Sequence, residues 1–311
     1  MIIRGNVPKI PLLAQISENH SISLVITGLL LFMQIIFDGK FEAAETPLVT
    51  SGNRGFRYGE GIFETIRVIR GRIRLSEYHF DRLFQGLALL GFEISGFFTR
   101  SYLAEKILEL CLINQLPETS ARVRLMVFRG DLAADGSLDP FPHFIIESAP
   151  PPFLPGGTPK TGLRLDIYQD GRKSRDAFSN LKSNNYLLSS MAAHHARKYQ
   201  LDDSLILNSA DRICESSIAN LFCIREQVIY TPPLSEGCVA GVMRRFLLDQ
   251  KHRLPFPLLE KEISPAFLKS AEEIFLTNAI QGIRPVLQFG QMGLSQKTTM
   301  QIQESLGEEF L

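Results

Sequence analysis

The sequence has little of what usually identifies a metal, disulfide, nucleic-acid or membrane protein. Its 311 residues include four cysteines with no CxxC pair, so zinc-thiolate sites and disulfide frameworks are not expected. Lysine plus arginine number 33, as do aspartate plus glutamate, and this neutral balance lacks the basic footprint of a nucleic-acid binder. A neutral chain is not attracted to an anionic membrane either. We therefore expect no metal, nucleic-acid or membrane partner, and the free thiols predict a reducing, cytoplasmic compartment.

A membrane-length apolar run is also missing. The uncharged stretch Leu24–Phe37 is shorter than the ~20 residues that cross a bilayer. A signal peptide, a packed segment and an extension outside the fold all remain open for residues 1–32. Met33–Phe37 followed by the turn pair Asp38-Gly39 is typical of a first strand and its turn. We therefore expect residues 1–32 to be an N-terminal extension.

Familiar catalytic motifs are absent as well. No GxGxxG, GxxxxGK[ST], HExxH or GxSxG pattern occurs, which argues against the dinucleotide, P-loop, zinc-protease and serine-hydrolase classes that they mark. His194 and His195 are adjacent, so on a helix they project in different directions and cannot share one metal. The chemistry must therefore be sought in less common residue combinations.

The length and one proline-rich segment suggest two domains. Residues 149–159 contain five prolines and two glycines, which cannot continue a helix or a central strand. We predict a small domain over 33–148, a linker over 149–159 and a large domain over 160–311. Strands and helices mix in both halves without strict alternation, which favours an α+β fold.

Residue patterns predict the principal elements of both halves. Ser76 is a plausible N-cap for a helix that runs to Leu90, and Thr99 for a second helix. In Ala121–Phe128, Val123, Leu125 and Val127 alternate with Arg122, Arg124 and Met126, as in a strand with one buried face. Further strands and helices are predicted at Gly61–Arg70, Arg72–Leu75, His143–Ser148, Gly162–Tyr168, Asn185–Tyr199, Ser204–Asn208, Asn220–Ile224, Gln227–Tyr230, Ala240–Gln250 and Glu273–Leu276.

Few single residues stand out on their own. Lys182 lies in a neutral polar segment just before a helix, where an amine without a nearby carboxylate can have a lowered pKa and act as a nucleophile. A solvated loop lysine would look the same in sequence. Glu215 is compatible with a turn, and Arg82 with the charged face of a helix. The loop that starts at Thr231 leads into a helix whose free N–H groups could bind an anion.

Taken in order, however, these segments resemble the class IV aminotransferase family, which comprises the fold-type IV pyridoxal-phosphate enzymes. The resemblance covers about Met33 to Pro285. It rests on motifs at Arg54–Arg67, His79–Leu83, Val127–Gly130, Leu181–Leu187, Glu215–Phe222, Thr231–Leu234 and Gly241–Arg244.

The resemblance implies a fold, a cofactor and a set of site residues. The fold would be a small N-terminal α/β domain plus a larger C-terminal domain with a β-barrel-like core. Lys182 would carry pyridoxal 5'-phosphate and then move protons as a general acid/base, and Glu215 would pair with the pyridine nitrogen. The family also implies a homodimer and a small amine or amino-acid substrate. The other implied contacts are Arg82, Val242, Met243, Thr277 and Asn278 to the phosphate, Tyr186 near the ring hydroxyl, and Phe63 and Arg129 to the substrate.

Three reactions within the family compete. The Arg-x-His pair of D-amino-acid aminotransferases is missing from Asp131–Gly136, and the segments at Lys182 and Thr277 differ from those of branched-chain aminotransferases. The latter segment, with Pro285-Val286, resembles 4-amino-4-deoxychorismate lyases, although some of these have threonine where Glu64 stands. We expect a lyase that forms 4-aminobenzoate and pyruvate, in folate biosynthesis. A branched-chain or D-amino-acid aminotransferase, and a catalytically silent family member, remain the alternatives.

Overall fold

The computed structural model describes residues 33–116, 120–151 and 162–307, which form two β-sheets with helices packed on them. The helices are α1 (Arg54–Tyr58), α2 (Ser76–Leu89), α3 (Arg100–Ile113), α4 (Leu187–Lys198), α5 (Val242–Asp249), α6 (Pro265–Lys269) and α7 (Lys297–Leu306). The strands are β1 (Gln34–Phe37), β2 (Lys40–Ala43), β3 (Gly61–Ile69), β4 (Arg72–Ile73), β5 (Ala121–Arg129), β6 (Pro142–Ala149), β7 (Leu163–Lys173), β8 (Asp203–Asn208), β9 (Ile213–Ser216), β10 (Asn220–Arg225), β11 (Val228–Thr231), β12 (Leu258–Glu260), β13 (Glu273–Asn278), β14 (Gly282–Phe289) and β15 (Met292–Gly293).

The first sheet is antiparallel, in the order β2-β1-β6-β5-β3-β4. Helices α2 and α3 cover one of its faces. The alternation predicted for β5 is confirmed, because Val123, Leu125 and Val127 are all fully buried in that core. The opposite face of β5 carries Arg122, Arg124 and Met126.

The start of the chain follows the predicted strand and turn. Asp38 and Gly39 both have positive φ, at 46° and 85°, which is the geometry of a two-residue hairpin turn between β1 and β2. The expected extension over residues 1–32 lies outside the described residues. Among the described helices, none has the length and apolar character needed to cross a membrane.

One predicted helix start is wrong in detail. Thr99 caps α3 as predicted, with its hydroxyl oxygen accepting from the N–H of Tyr102 at 3.1 Å. At α2, however, the N-cap is Leu75 with φ 52°, and Ser76 already belongs to the first turn. The chain leaves β4 at Ile73 and must reverse within two residues, so the residue before the helix takes a left-handed conformation.

The second sheet contains a closed barrel. Strands β10, β13, β14, β7, β8 and β9 are neighbours in that order, and β9 pairs back with β10 through Glu215 and Asn220. Apolar side chains such as Leu165, Leu205 and Leu221 fill the interior. The mixed α+β fold with a β-barrel-like core is therefore confirmed. The division into a small and a large domain stays a prediction, and residues 152–159 of the proposed linker lie outside the described part.

Backbone hydrogen bonds join the two sheets at one place. The N–H of Phe63 donates to the carbonyl of Lys182 at 2.9 Å, and the N–H of Asn184 donates to the carbonyl of Gly61 at 2.9 Å. The segment before α4 is thus attached to β3 like a short extra strand. This attachment brings Lys182 to the junction of the two sheets.

Candidate functional site

A cavity of about 260 Å³ lies at the junction of the two sheets. Strands β3 and β5 supply one wall, and β9, β13 and the start of α5 supply the other. Most of the predicted site residues meet here although they are far apart in sequence. Those that line the cavity are Phe63, Arg82, Lys182, Tyr186, Glu215, Val242, Met243, Thr277 and Asn278.

The Lys182 amine lies between two aromatic rings. Its Nζ is 4.3 Å from the centroid of the Phe63 ring and 5.4 Å from that of the Tyr186 ring. Within the described residues it forms no hydrogen bond or ion pair. Burial, and then the positive charge of Arg82, lowers the pKa of Lys182 from 10.5 to about 8. A substantial neutral fraction is therefore present near neutral pH, as a nucleophilic or basic amine requires.

Arg82 is held in place by a buried carboxylate. Its Nε and Nη2 donate to the two oxygens of Glu64 at 2.7 and 2.5 Å, and Nη1 donates to the carbonyl of Ala240 at 3.0 Å. His79 Nδ1 lies 2.6 Å from Glu64 as well. Burial works to raise the pKa of Glu64, but the charges of Arg82 and His79 outweigh it and hold the pKa at about 2. The guanidinium is thus fixed with N–H groups still available to an anion in the cavity.

A second anion-binding element is the start of α5. The first N–H groups of a helix, here those of Val242 and Met243, have no partner within the helix. Gly241 before them packs so closely on β10 that a Cβ would lie 1.7 Å from Asn220 Oδ1. Thr277 Oγ1 faces the same cavity, buried and without a hydrogen-bond partner. Backbone donors and an unsatisfied hydroxyl therefore converge near Arg82.

Glu215 presents a buried carboxylate on the barrel side of the cavity. One of its oxygens forms an ion pair with Lys173 Nζ, and the other accepts from the N–H of Val239 at 2.8 Å. Its side chain is 5% exposed. These contacts keep the carboxylate in place at the barrel side of the cavity.

Tyr186 is positioned through a chain of hydrogen bonds. Its hydroxyl donates to the carbonyl of Ser217 at 2.8 Å, and the hydroxyl of Ser217 donates to buried Asp203 at 2.5 Å. Burial, and then the charge of Glu215, raises the pKa of Tyr186 to about 12, so the phenol stays protonated. Its oxygen remains available as an acceptor for a group in the cavity.

Asn278 and Arg129 differ from the other predicted residues. Asn278 lines the cavity, but its side-chain oxygen accepts from Ile280 and Gln281 and shapes the turn between β13 and β14. The structure does not bring Arg129 to the cavity. Its guanidinium donates to the carbonyls of Leu90 and Asp139, which ties the end of β5 to the end of α2. Those donors are used within the chain, and the substrate contact of Arg129 stays a prediction.

Two charged residues that line the cavity were not predicted from the sequence. Arg122 and Arg124 lie on the face of β5 opposite the core, and both line the cavity. The guanidinium of Arg124 stacks on the Phe63 ring at 4.1 Å. The sequence shows that Arg122 and Arg124 alternate with the buried Val123 and Leu125. A strand with one face in solvent has the same pattern, so the alternation does not identify cavity residues. Glu64 and His79 were present in the recognised motifs without an assigned role.

These groups fit pyridoxal phosphate. Lys182 offers an amine of lowered pKa, which suits reaction with the aldehyde. Arg82, the α5 donors and the unsatisfied Thr277 hydroxyl suit the phosphate. Glu215 suits the pyridine nitrogen, because a buried carboxylate stabilises its protonated form.

Known proteins show the same likeness. A putative branched-chain-amino-acid aminotransferase of Methanocaldococcus jannaschii is 27% identical over 281 residues, spanning 89% of this chain and 95% of the relative. The aminodeoxychorismate lyase of Bacillus subtilis is 27% identical over 255 residues, spanning 81% and 85%. A solved structure of branched-chain amino acid aminotransferase from Escherichia coli superimposes with a TM-score of 0.78 at 23% identity, spanning 90% of this chain and 94% of that one, which is a likeness of fold.

The family assignment rests on the larger part of the chain. The sequence profile of amino-transferase class IV matches residues 61–289. That range contains β3, the Lys182 segment, Glu215 and the start of α5. The chain therefore belongs to the class IV aminotransferase family and is a pyridoxal-phosphate-dependent enzyme.

Proposed function

We propose that this enzyme is a 4-amino-4-deoxychorismate lyase, which releases pyruvate and leaves 4-aminobenzoate. The observation that carries the proposal is the pair Arg122 and Arg124 in the cavity wall. The lyase substrate has two carboxylates, whereas a branched-chain amino acid has one carboxylate and an apolar side chain. Two guanidinium groups favour the dianion, because an aliphatic group would remove their water without replacing its hydrogen bonds.

The cavity residues can be assigned to the parts of pyridoxal phosphate. Lys182 would hold the aldehyde carbon, Arg82 with the N–H groups of Val242 and Met243 would hold the phosphate, and Glu215 would face the pyridine nitrogen. When bound, pyridoxal phosphate supplies an electron sink for the pair left behind by a departing proton.

Lys182 performs the proton transfers of the proposed reaction. As a neutral amine it takes the proton from the ring carbon that bears the substrate nitrogen. The electron pair released there drives cleavage of the adjacent carbon–oxygen bond, and the ring becomes aromatic. The enolate of pyruvate leaves with the bonding pair and takes a proton at its methylene carbon from the Lys182 ammonium, which gives pyruvate and restores the neutral amine. No external oxidant, reductant or keto acid is needed.

Glu64 is the residue at which this sequence departs from some lyases, which have threonine there. Its carboxylate contacts His79 and Arg82 and is 2% exposed, so it supports the phosphate anchor rather than facing the reacting amine. Its presence is therefore compatible with lyase chemistry. An aminotransferase for an acidic amino acid is the second candidate. The arginine wall favours it, because the wall would also accept a side-chain carboxylate. The putative branched-chain-amino-acid aminotransferase of Methanocaldococcus jannaschii supports transamination as the reaction, but not an acidic substrate.

Product analysis separates the two enzyme candidates. The purified enzyme is given 4-amino-4-deoxychorismate without any keto acid, and pyruvate is followed with lactate dehydrogenase. The lyase releases one pyruvate for each 4-aminobenzoate. Absence of pyruvate, together with conversion of glutamate or a simple amino acid to its keto acid in a half-reaction, would establish the aminotransferase instead.

A silent family member is a third possibility with a different outcome. It predicts no covalent cofactor, and therefore no near-visible absorbance band that depends on Lys182. The expected result is a band in the wild type that is lost in Lys182→Ala. Lys198→Ala is the matched control, because Lys198 is exposed at the end of α4.

The exposed apolar surface supports a homodimer in the proposed enzyme. Phe56 and Leu187 are 75% and 74% exposed, and their segments adjoin because the side chain of Asn185 lies against Gly59. Such a patch beside a site favours burial against a second copy. Leu187→Glu should yield monomers by analytical ultracentrifugation, whereas Leu112→Glu, at a remote residue that is 79% exposed, should not. The free cysteines among the described residues are consistent with a cytoplasmic location.

A further inference from the structure

We propose that Arg67 and Arg122 form a carboxylate subsite at the mouth of the cavity, selective for amine substrates that carry a second carboxylate far from the amine. The inference deepens the proposed function and rests on it for the identity of the substrate. It begins from strand register. Arg67 on β3 is the direct partner of Arg122 on β5, so both side chains project from the same face of the sheet.

That face is the wall of the cavity. Phe63 and Thr65 precede Arg67 at alternate positions on β3, and both line the cavity together with Arg122 and Arg124. Arg67 follows Phe63 by four residues, about 13 Å along the strand at ~3.3 Å per residue. Phe63 lies beside the Lys182 amine, so the Arg67–Arg122 pair is at the outer end of the same wall.

Charge is unbalanced at this end of the wall. Directly opposed like charges on neighbouring strands destabilise a sheet. Across residues 33–116, 120–151 and 162–307, neither Arg67 nor Arg122 forms an ion pair, and the only side-chain hydrogen bond from Arg67 goes from Nε to Ser120 Oγ at 3.3 Å. The other strand neighbour of Arg122 is Ala149, whereas Arg124 lies next to Glu147. An anion between the two guanidinium groups would supply the missing countercharge.

Arg67 is partly buried, which increases its need for a countercharge. Burial, and then the charge of Arg74, lowers the pKa of Arg67 below its usual range, although the guanidinium remains charged. Arg122 is exposed and free to turn toward a ligand. One fixed and one adjustable guanidinium can together bind both oxygens of a carboxylate.

The position of the pair specifies the ligand. A carboxylate bound there is too far from Lys182 to belong to the carbon that bears the reacting amine. It fits a carboxylate across a ring from the amine, as the ring carboxylate of the proposed substrate is. Arg124, nearer to Lys182, is left for the carboxylate of the enolpyruvyl group.

Two unreactive ligands test the subsite without turnover. The first, 3-(1-carboxyvinyloxy)benzoate, carries both carboxylates and no amine. The second, 2-phenoxyacrylate, lacks only the ring carboxylate. Their dissociation constants are measured by titration calorimetry with the cofactor-loaded wild type and with Arg67→Gln, Arg122→Gln and Arg72→Gln. Arg72 is an exposed arginine on β4 and serves as the matched control.

The wild type should prefer the dicarboxylate by about tenfold or more, the effect of one charge-assisted interaction. Each of Arg67→Gln and Arg122→Gln should reduce this preference below about threefold, and Arg72→Gln should retain it. Thermal unfolding of the ligand-free variants should show no loss of stability, because each substitution removes one positive charge from a stretch in which Arg74 acts on Arg67 and Arg122 acts on Arg124.

Several results would overturn the subsite. They are equal binding of the two ligands by the wild type, binding of neither, or a preference that survives in both variants. Pyruvate release, measured in parallel, tests the lyase separately. A preference that depends on both arginines without pyruvate release would refute the lyase and leave the subsite standing. Pyruvate release without a preference for the dicarboxylate would support the lyase and refute the subsite.

Discussion

The backbone N–H of Phe63 donates to the carbonyl oxygen of Lys182, so the lysine's main chain is bonded to the strand whose side chains line the cavity. Phe63 also places its ring 4.3 Å from the Lys182 amine. The same residue therefore fixes the backbone of the lysine and shields its side chain from water. Replacing the lysine should leave this backbone arrangement intact, so its variants report on the amine itself.

Lys182→Met should make the cofactor-free protein more stable at pH 7. The pKa of Lys182 is lowered from 10.5 to about 8, so the unfolded chain binds a proton more readily than the folded one. At ~1.36 kcal/mol for each tenfold change in the acid constant, the lysine costs about 3 kcal/mol of stability below pH 8. The cost should disappear as pH rises from 8 to 10.5. Urea unfolding across this range measures it.

The control for this experiment is Lys198→Met, an exposed lysine on α4. Its stability relative to the wild type should not vary over the same pH range. A difference between Lys182→Met and the wild type that is constant with pH would mean that the amine is not desolvated in the folded state.

Glu64→Gln should weaken the phosphate anchor. The amide cannot neutralise Arg82, which then loses its orientation inside a buried cluster. Breaking a buried ion pair from one side costs about 3 kcal/mol or more. We expect a lower free energy of unfolding and weaker binding of pyridoxal phosphate, measured by equilibrium dialysis. Glu77→Gln, on the exposed side of α2, should change neither; equal effects of the two substitutions would contradict the anchor.

The Glu64 charge also predicts a pH dependence. Because its folded pKa is held at about 2, below the ordinary 4.5, the carboxylate contributes stability above pH 4.5 that is lost as pH falls toward 2. The wild type should therefore lose more stability than Glu64→Gln over this interval. Parallel denaturant titrations at several pH values make the comparison.

Gly241→Ala should damage cofactor binding through sterics alone. A Cβ at this position would lie 1.7 Å from Asn220 Oδ1, so either the start of α5 or the Asn220 side chain must shift. The Asn220 amide is buried and donates to the carbonyl of Val239, so we expect the start of α5 to move. The N–H groups of Val242 and Met243 would move with it. We expect at least about a tenfold loss of pyridoxal phosphate affinity. Gly293→Ala, which meets no atom within 4 Å, is the control. Unchanged affinity would show that the start of α5 does not hold the phosphate.

Asp203→Asn should affect turnover more than cofactor binding. Asp203 accepts from the Ser217 hydroxyl, and the Ser217 carbonyl in turn accepts from Tyr186. Loosening this chain lets the phenol shift beside Lys182, so kcat/KM should fall by about tenfold while the absorbance band persists. Asp202→Asn at the neighbouring, half-exposed carboxylate should stay near the wild type. A parallel loss of the absorbance band would instead indicate general unfolding.

The sequence predicted the helices and strands well where a regular spacing of apolar residues, or a cap or turn residue, is present. The β5 alternation, the Thr99 cap and the turn at Asp38-Gly39 follow local rules that the structure obeys. The start of α2 did not, because the short turn from β4 overrides the capping preference of Ser76. The short helix α1 was not predicted either, since five residues carry too little periodicity.

The sequence predicted only those site residues that lie in motifs shared with the family. Lys182 and Glu215 stand in recognised motifs and line the cavity, as the resemblance implied. No local signal distinguishes Arg122 from an arginine on a solvent-facing strand, because its neighbour Arg67 is 55 positions away and the cavity forms only when two sheets meet. Asp203 likewise acts through Ser217, a contact that no spacing reveals.

The barrel closes where the cofactor would bind. Asn220 pairs with Glu215 on one side and with Thr277 on the other, so three neighbouring strands present their site residues at one level. A molecule held by Glu215 and Thr277 together spans the seam of the ring. Separation of β9 from β10 and release of that molecule are then coupled. Amide hydrogens of β9 and β10 should consequently exchange with solvent more slowly when the cofactor is present, in step with its affinity.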